Sequence, residues 1–393
     1  MARFIAVAIY RVYFHPLSKF PGPKFDAATR IPHSIAVWNG SPHKRAIALH
    51  RKYGDVVRTS PDELSFVNAQ AWKDAYGHSP KGARGSTPHK YWPRYELFAM
   101  NNEKSVEMLA GEEHARVRRI FNPAFSDRAV KQQEPVFMKY VNLLDAKLRE
   151  GLEKDPDHKF DMVTMFNFTT FDIMGDLTFG EPLQLLANGE YNTWVKSVFG
   201  LIRVGIRISI LLNYPILLKT LKACIPASVV KKSEEHFQNS VDRVTKRLEK
   251  GRHSEGADFW SLVLDQPEGR GLTRGQMDAN AGLFMLAGTE TTATLLSGLT
   301  YLLLQHPEAL KLLTSEIRNA FDDPSNMSIE KVAALPYLNA CIKEGLRLYP
   351  PVVTGMPRQT PSEGSTICGE YVPPGVSTPY HWSLIETLLT INP

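Results

Sequence analysis

Cysteine is scarce in this chain: three among 393 residues, Cys224, Cys341 and Cys368, far apart and in no C-x-x-C arrangement. That spacing excludes a disulfide framework and a cysteine-rich zinc site, and no metal site is expected from the protein's own side chains. Charge of one sign is never gathered into a tract. The 46 Lys and Arg and 41 Asp and Glu leave a formal net charge of +5, so nucleic acid is not expected as a partner. A basic face toward an acidic partner or a membrane surface stays open. Long apolar runs are few. Residues 4–10, FIAVAIY, stop at Arg11 and are far shorter than the about 20 residues a bilayer span needs, and no small-residue cleavage site follows to mark a secretory signal. Residues 281–304 are longer and hold a single formal charge, Glu290. At the centre of a bilayer that carboxylate would cost about 2.5–3.5 kcal/mol, so a buried central helix is expected there and not a membrane span. Repeats and low-complexity tracts are absent.

What is present is ordinary globular material, 43% hydrophobic and 22% charged, enough for a sizeable core. HPLSKFPGPKF at 15–25 is a stiff, proline-rich connector. DVVRT (55–59) and ELSFV (63–67) read as a strand hairpin. From about residue 69 the signals are mainly helical: EEHARVRRIF, then a helix over 135–154, then one over 163–180. Thr273 with Gln276 three residues later fits a capping box, and Pro307 marks the start of the next helix. The helix between them spans about 32 residues, or roughly 48 Å. PYLNACIKEGLRLY (336–349) is a further helix, ended by Pro350 and Pro351.

The centre of the long helix reads LAGTETTATLL (286–296). A helix-interior glycine costs about 1 kcal/mol relative to alanine, and a buried ionised carboxylate costs more unless paired. Ala287, Gly288 and Thr291 fall at i, i+1 and i+4 and share one side. Two readings follow. Gly288 leaves room for a small guest or flat cofactor, with Glu290 and Thr291 forming a short proton relay. Alternatively, Gly288 admits a neighbouring helix and the threonines bond back to the backbone.

The combination A-G-T-E-T-T resembles the cytochrome P450 family, whose central helix bears an Ala/Gly-Gly-x-Asp/Glu-Thr signature. LPYLNACIKEGLRLYPP (335–351) resembles that family's E-x-x-R helix, MPRQTPSEGSTICGEYVPPG (356–375) the strands that follow, and EEHARVRRIFNPAFS (112–126) its helix C. YFHPLSKFPGPKF is similar to the proline-rich hinge of microsomal, especially fungal, members. The resemblance implies a mainly α fold with small β-sheets. It implies a segment 1–25 of apolar start and hinge, a P450-like domain over 26–376, and a divergent tail over 377–393. It implies haem as cofactor, with Ala287 and Gly288 beside it and His114, Arg118 and Arg358 toward its propionates. Glu290 and Thr291 become the catalytic proton-delivering pair, and Glu344 and Arg347 a buried structural pair. Spacing alone reads that pair as a solvated i,i+3 contact, and HARVRR as a solvated basic helix.

The same resemblance implies O₂-dependent oxidation of an apolar small molecule, in a setting such as secondary metabolism. An NADPH-dependent reductase would be the electron donor, and the cytosolic face of the endoplasmic reticulum membrane the location. Substrate contacts are expected around residues 82–102, 194–214 and 284–291. One departure matters. The family's F-x-x-G-x-R-x-C-x-G loop, which carries the axial cysteine, occurs nowhere in this sequence. The chain is therefore expected to be truncated before that loop and impaired. The alternative is a non-catalytic remnant that binds a lipophile or a protein partner.

Overall fold

The computed structural model describes residues 2–77, 87–95, 103–211, 213–214, 227–251, 258–264, 271–353 and 355–378. These are mainly α-helical, with two small β-sheets. The chain divides into two compact units, one of residues 1–98, 202–225 and 352–393, the other of 99–201 and 226–351.

The first unit holds the sheets. β1 (Val56–Ser60) and β2 (Glu63–Phe66) form the expected antiparallel hairpin, irregular between Arg58 and Ser60. The remaining strands are β3 (His89–Lys90), β4 (Arg358–Gln359), β5 (Ser365–Ile367), β6 (Glu370–Val372) and β7 (Ser377–Thr378). The larger sheet runs β1-β2-β7-β4-β3, with β7 parallel to β2 and antiparallel to β4, and β5 pairs with β6. Ser377 and Thr378 are thus sheet residues. Leu17 and Phe20 of the proline-rich connector are buried with Leu64, Phe66, Ile367 and Val372, which explains how so irregular a segment is fixed. Arg58, almost wholly buried, donates to the carbonyls of Arg11 (2.8 Å) and Pro61 (2.6 Å). Burial lowers its guanidinium pKa to about 10. Gly22 is needed beside it, because a Cβ there would meet the Arg58 carbonyl oxygen at 2.4 Å.

The second unit is built on the central helix, Arg274–Gln305, whose 32 residues begin at the anticipated capping box. The Thr273 hydroxyl accepts from the Gln276 N–H (3.1 Å), and the Gln276 side chain accepts from the Thr273 N–H (3.2 Å). The Met162–Phe179 helix packs along it, capped by Asp161 and ended by Gly180 in the left-handed region. The helix expected over 135–154 starts earlier, at Asp127, with Pro135 in its interior. Pro135 does not bound the helix; Ser126 supplies the cap, accepting from the Ala129 N–H at 3.3 Å. A 28-residue helix absorbs the missing backbone bond. Buried Phe121, Phe168, Phe171, Phe179 and Trp260 anchor the core. Arg247 and Asp258, 0% and 3% exposed, are paired within it. Among the described residues, no helix is long and apolar enough to cross a membrane.

Candidate active site

The hydroxyls of the central helix are bonded to its own backbone. Thr289 donates to the Met285 carbonyl (2.6 Å), Thr291 to the Ala287 carbonyl (2.6 Å), and Ser297 to the Ala293 carbonyl (2.7 Å). This satisfies donors that an apolar surrounding would otherwise strand. Thr289 is buried, whereas Ala287 is exposed and Thr291 half-buried, so one side of the helix is open at Ala287 and Thr291. Glu290 is half-buried beside them, and burial raises its carboxyl pKa above the ordinary value.

Gly288 does not share that opening. A Cβ on it would meet the Met174 Sδ at 2.6 Å and Cε at 2.7 Å. The notch in the helix is filled by Met174 of the Met162–Phe179 helix, which is the helix-approach reading and not the guest-space one. Phe284 is likewise turned into packing. Its ring lies 4.9 Å from Phe121, 5.3 Å from Phe259 and 5.8 Å from Phe125. Of the face expected over residues 284–291, Ala287 is exposed, and Leu286, Glu290 and Thr291 are half-buried.

His114 and Arg118 lie on the Gly111–Phe121 helix, four residues apart, His114 half-buried and Arg118 exposed. That helix is held by an unanticipated neighbour. Arg116 forks onto Glu113 (2.9 and 2.7 Å) and donates to the Gly271 carbonyl (3.0 Å) and Gln276 Oε1 (3.1 Å). Gln276 in turn donates to Glu113 (2.9 Å). Bonds from Arg116 and Gln276 lower the Glu113 pKa to about 2. The capping glutamine therefore also ties the basic helix to the central one. The E-x-x-R-like spacing of Glu113 and Arg116 is the signal that would have suggested a pair.

Glu344 and Arg347 do form a two-point pair, Arg347 Nε donating to Glu344 Oε2 at 2.6 Å and a second guanidinium nitrogen to Oε1. Arg347 is 18% exposed but Glu344 53%, so the carboxylate is half in water. Hydrogen bonding from Arg347 holds its pKa below the usual carboxylate range.

Arg358 belongs to the sheet unit, on β4. Its guanidinium stacks 4.9 Å over the Tyr76 ring. Its Nε is buried with no hydrogen-bond partner, which leaves a donor for an anion such as a carboxylate.

The unpartnered Nε of Arg358 fits a carboxylate of the haem that the resemblance implies. Burial raises the Cys341 thiol pKa, and burial together with Asp74 raises that of Cys368 to about 11. Cys224 lies outside the described residues.

Comparison with known proteins agrees with the signature. A family model described as Cytochrome P450 matches residues 29–382. Cytochrome P450 monooxygenase efuB of Hormonema carpetanum is 44% identical over 385 residues, covering 97% of this chain and 75% of its own. Cytochrome P450 monooxygenase FUM2 of Gibberella moniliformis is 47% identical over 370 residues, covering 93% and 77%. Cytochrome P450 monooxygenase rdc4 of Metacordyceps chlamydosporia is 41% identical over 367 residues, covering 93% and 74%. With a central helix that opens at Ala287 and Thr291, a Glu344–Arg347 fork and relatives of this kind, the chain belongs to the cytochrome P450 family of monooxygenases.

Proposed function

We propose that this chain serves the O₂-dependent oxidation of an apolar small molecule, such as a secondary metabolite, with electrons from an NADPH-dependent reductase. The observation that carries the reading is the Ala287–Thr291 face. There an exposed alanine, a threonine hydroxyl and the half-buried Glu290 carboxyl meet on one helix. Haem, when bound, supplies the redox chemistry. The resemblance assigns its carboxylates to His114 and Arg118 of the helical unit and to Arg358 of the sheet unit. Thr291 can rotate from the Ala287 carbonyl to offer its hydroxyl, and Glu290, with a raised carboxyl pKa, can return a proton. In the reconstituted protein, Thr291→Ala and Glu290→Gln are expected to raise peroxide released per NADPH consumed while haem content stays unchanged. Unchanged coupling in both variants would remove the pair from proton delivery.

We also propose a second reading, in which this chain binds a lipophile without turning it over. The two readings separate in the absorption spectrum of the reduced, carbon-monoxide-bound protein. Impairment predicts no strongly red-shifted thiolate band. A band that vanishes on changing one cysteine to serine would overturn impairment and name the ligand.

We also place the chain at a membrane surface. Within the sheet unit, Phe4 is 82% and Phe14 71% exposed, and the Ile31–Trp38 helix exposes Ile35 and Trp38, with the Arg207 guanidinium 5.2 Å over the Trp38 ring. Apolar side chains beside cations suit a bilayer interface. Co-sedimentation with phosphatidylcholine–phosphatidylserine vesicles is expected, weakened by Phe4→Ser with Trp38→Ser. Equal sedimentation of the double variant would count against this surface.

A further inference from the structure

We infer that Tyr76 is a positioning residue for carboxylate binding by Arg358, its ring holding the guanidinium by one face and leaving the N–H donors at its edge for the anion. The inference rests on the reading that Arg358 takes a haem carboxylate. Both residues belong to the sheet unit, Tyr76 as the last residue of the Ala69–Tyr76 helix and Arg358 on β4. The ring is held on several sides. Trp72, one turn earlier on the same helix, stacks on it with centroids 4.6 Å apart and planes 20° from parallel. The phenol O–H donates to the Met356 carbonyl at 2.5 Å, and the Tyr91 N–H donates to the Pro357 carbonyl at 3.1 Å, so the backbone leading into Arg358 is pinned twice. The Arg358 guanidinium lies 4.9 Å from the Tyr76 ring centroid, within cation–π range. One side chain thus grips both the approach to β4 and the charged end of the residue that β4 carries.

An aromatic partner is what keeps the arginine ready for an anion. Arg30 and Arg45 of the same unit pair with Asp62 and Asp26, and an arginine so paired has its charge balanced and donors spent. A ring attracts the cation through its face and accepts none of the N–H bonds that lie in the guanidinium plane. Arg358 accordingly keeps a buried Nε without a hydrogen-bond partner, a donor whose burial is unfavourable until an acceptor arrives. Asp74, on the same helix as Tyr76, is engaged elsewhere, accepting from Gln70 Nε2 and from the Cys368 N–H at 2.8 Å each. The competing account is that Tyr76 only packs, since it also lies against the cluster that contains Leu64, Phe66 and Ile367.

The test titrates the full chain with haem and with haem dimethyl ester, whose carboxylates carry no charge, and reads the ratio of the two affinities. The unaltered chain should prefer haem, and Arg358→Gln should remove most of that preference. Tyr76→Leu should lower the ratio about threefold to tenfold, Tyr76→Phe less, and Tyr76→Leu should add nothing in the Arg358→Gln background. A packing role would lower both affinities together and leave the ratio unchanged, which would overturn the inference. A preference undiminished by Arg358→Gln, or none in the unaltered chain, would overturn the reading of Arg358 and the inference with it. If Tyr76→Leu does not fold, the unaltered chain with isotopically labelled arginine still decides. The Arg358 Nε–H resonance, identified by its loss in Arg358→Gln, should lie upfield in the ring current of Tyr76 and move on addition of zinc protoporphyrin but not of its dimethyl ester. A resonance without the upfield shift, or one that ignores zinc protoporphyrin, would overturn the positioning role.

Discussion

Thr291 spends its hydroxyl proton on the Ala287 carbonyl at 2.6 Å, so any service to a guest requires a rotation that gives up about 1 kcal/mol of hydrogen bonding. That conditional availability could not be read from the letters A-G-T-E-T-T. The open side was legible from small residues at i and i+4, but Met174 over Gly288 was not, because the partner is more than a hundred residues away. Glu344 and Arg347 give a sharper residue-scale expectation. With Glu344 53% exposed, Arg347→Ala returns the carboxylate to water and should destabilise by about 1 kcal/mol, read from urea midpoints. A loss of several kcal/mol would mean that Glu344 is desolvated during folding after all. His50 supplies a pH dependence. Its Nδ1 lies 2.8 Å from the Gly54 carbonyl and its Nε2 2.7 Å from the Ser65 hydroxyl, and burial lowers its pKa below 6.5. Between the folded value and 6.5 the unfolded chain binds more protons. Its contribution is therefore complete above the unfolded value and lost as pH falls through the folded one. His15 and His43 are shifted the same way, chiefly by burial. His50→Gln should flatten the acid limb of the stability–pH curve in part. An unchanged limb would assign it elsewhere.

Elements were legible where the sequence marks their ends. Thr273, Gln276 and Pro307 bounded the central helix because capping is local chemistry. Pro135 misled because tertiary packing of a long helix outweighs one absent bond. Pairing of β7 between β2 and β4 is non-local and carries no mark in the two residues that make it. Within the central helix two glycines should behave differently. Gly288→Ala presses only on the flexible end of Met174, and the gain in helix propensity offsets this, leaving a net change within about 1 kcal/mol. Gly298→Ala meets Tyr349 Cδ1 at 2.3 Å and its Cβ at 2.9 Å, which a rotamer change alone cannot relieve. A loss of about 1–3 kcal/mol is expected. Thermal unfolding of both variants decides, and equal midpoints would show that the Tyr349 backbone gives way.

At the scale of the whole molecule, the family was legible from short motifs, but the division into two units was not, since each gathers segments distant in sequence. The helical unit depends on a buried ion pair. Arg247 reaches Asp258 at 2.7 and 3.0 Å, and Asp258 also accepts the N–H groups of Trp260 and Ser261 at 3.0 Å each. Arg247→Met leaves that carboxylate buried without its cation and should cost about 3–5 kcal/mol, measured as a fall in the denaturation midpoint. A near-native midpoint would mean that its backbone donors suffice.

Trp260, beside this pair, is fully buried, and its indole N–H donates to the Thr178 carbonyl. Trp38 and Trp72 of the sheet unit are 60% and 50% exposed. The chain therefore carries its own optical label. Trp260, with the buried Trp194, should fluoresce at shorter wavelength and resist iodide quenching, while Trp38 and Trp72 emit red and quench readily. Selective excitation at the red edge would then follow one unit's surroundings, and the iodide-resistant fraction would follow loosening of the other, without any dye attached.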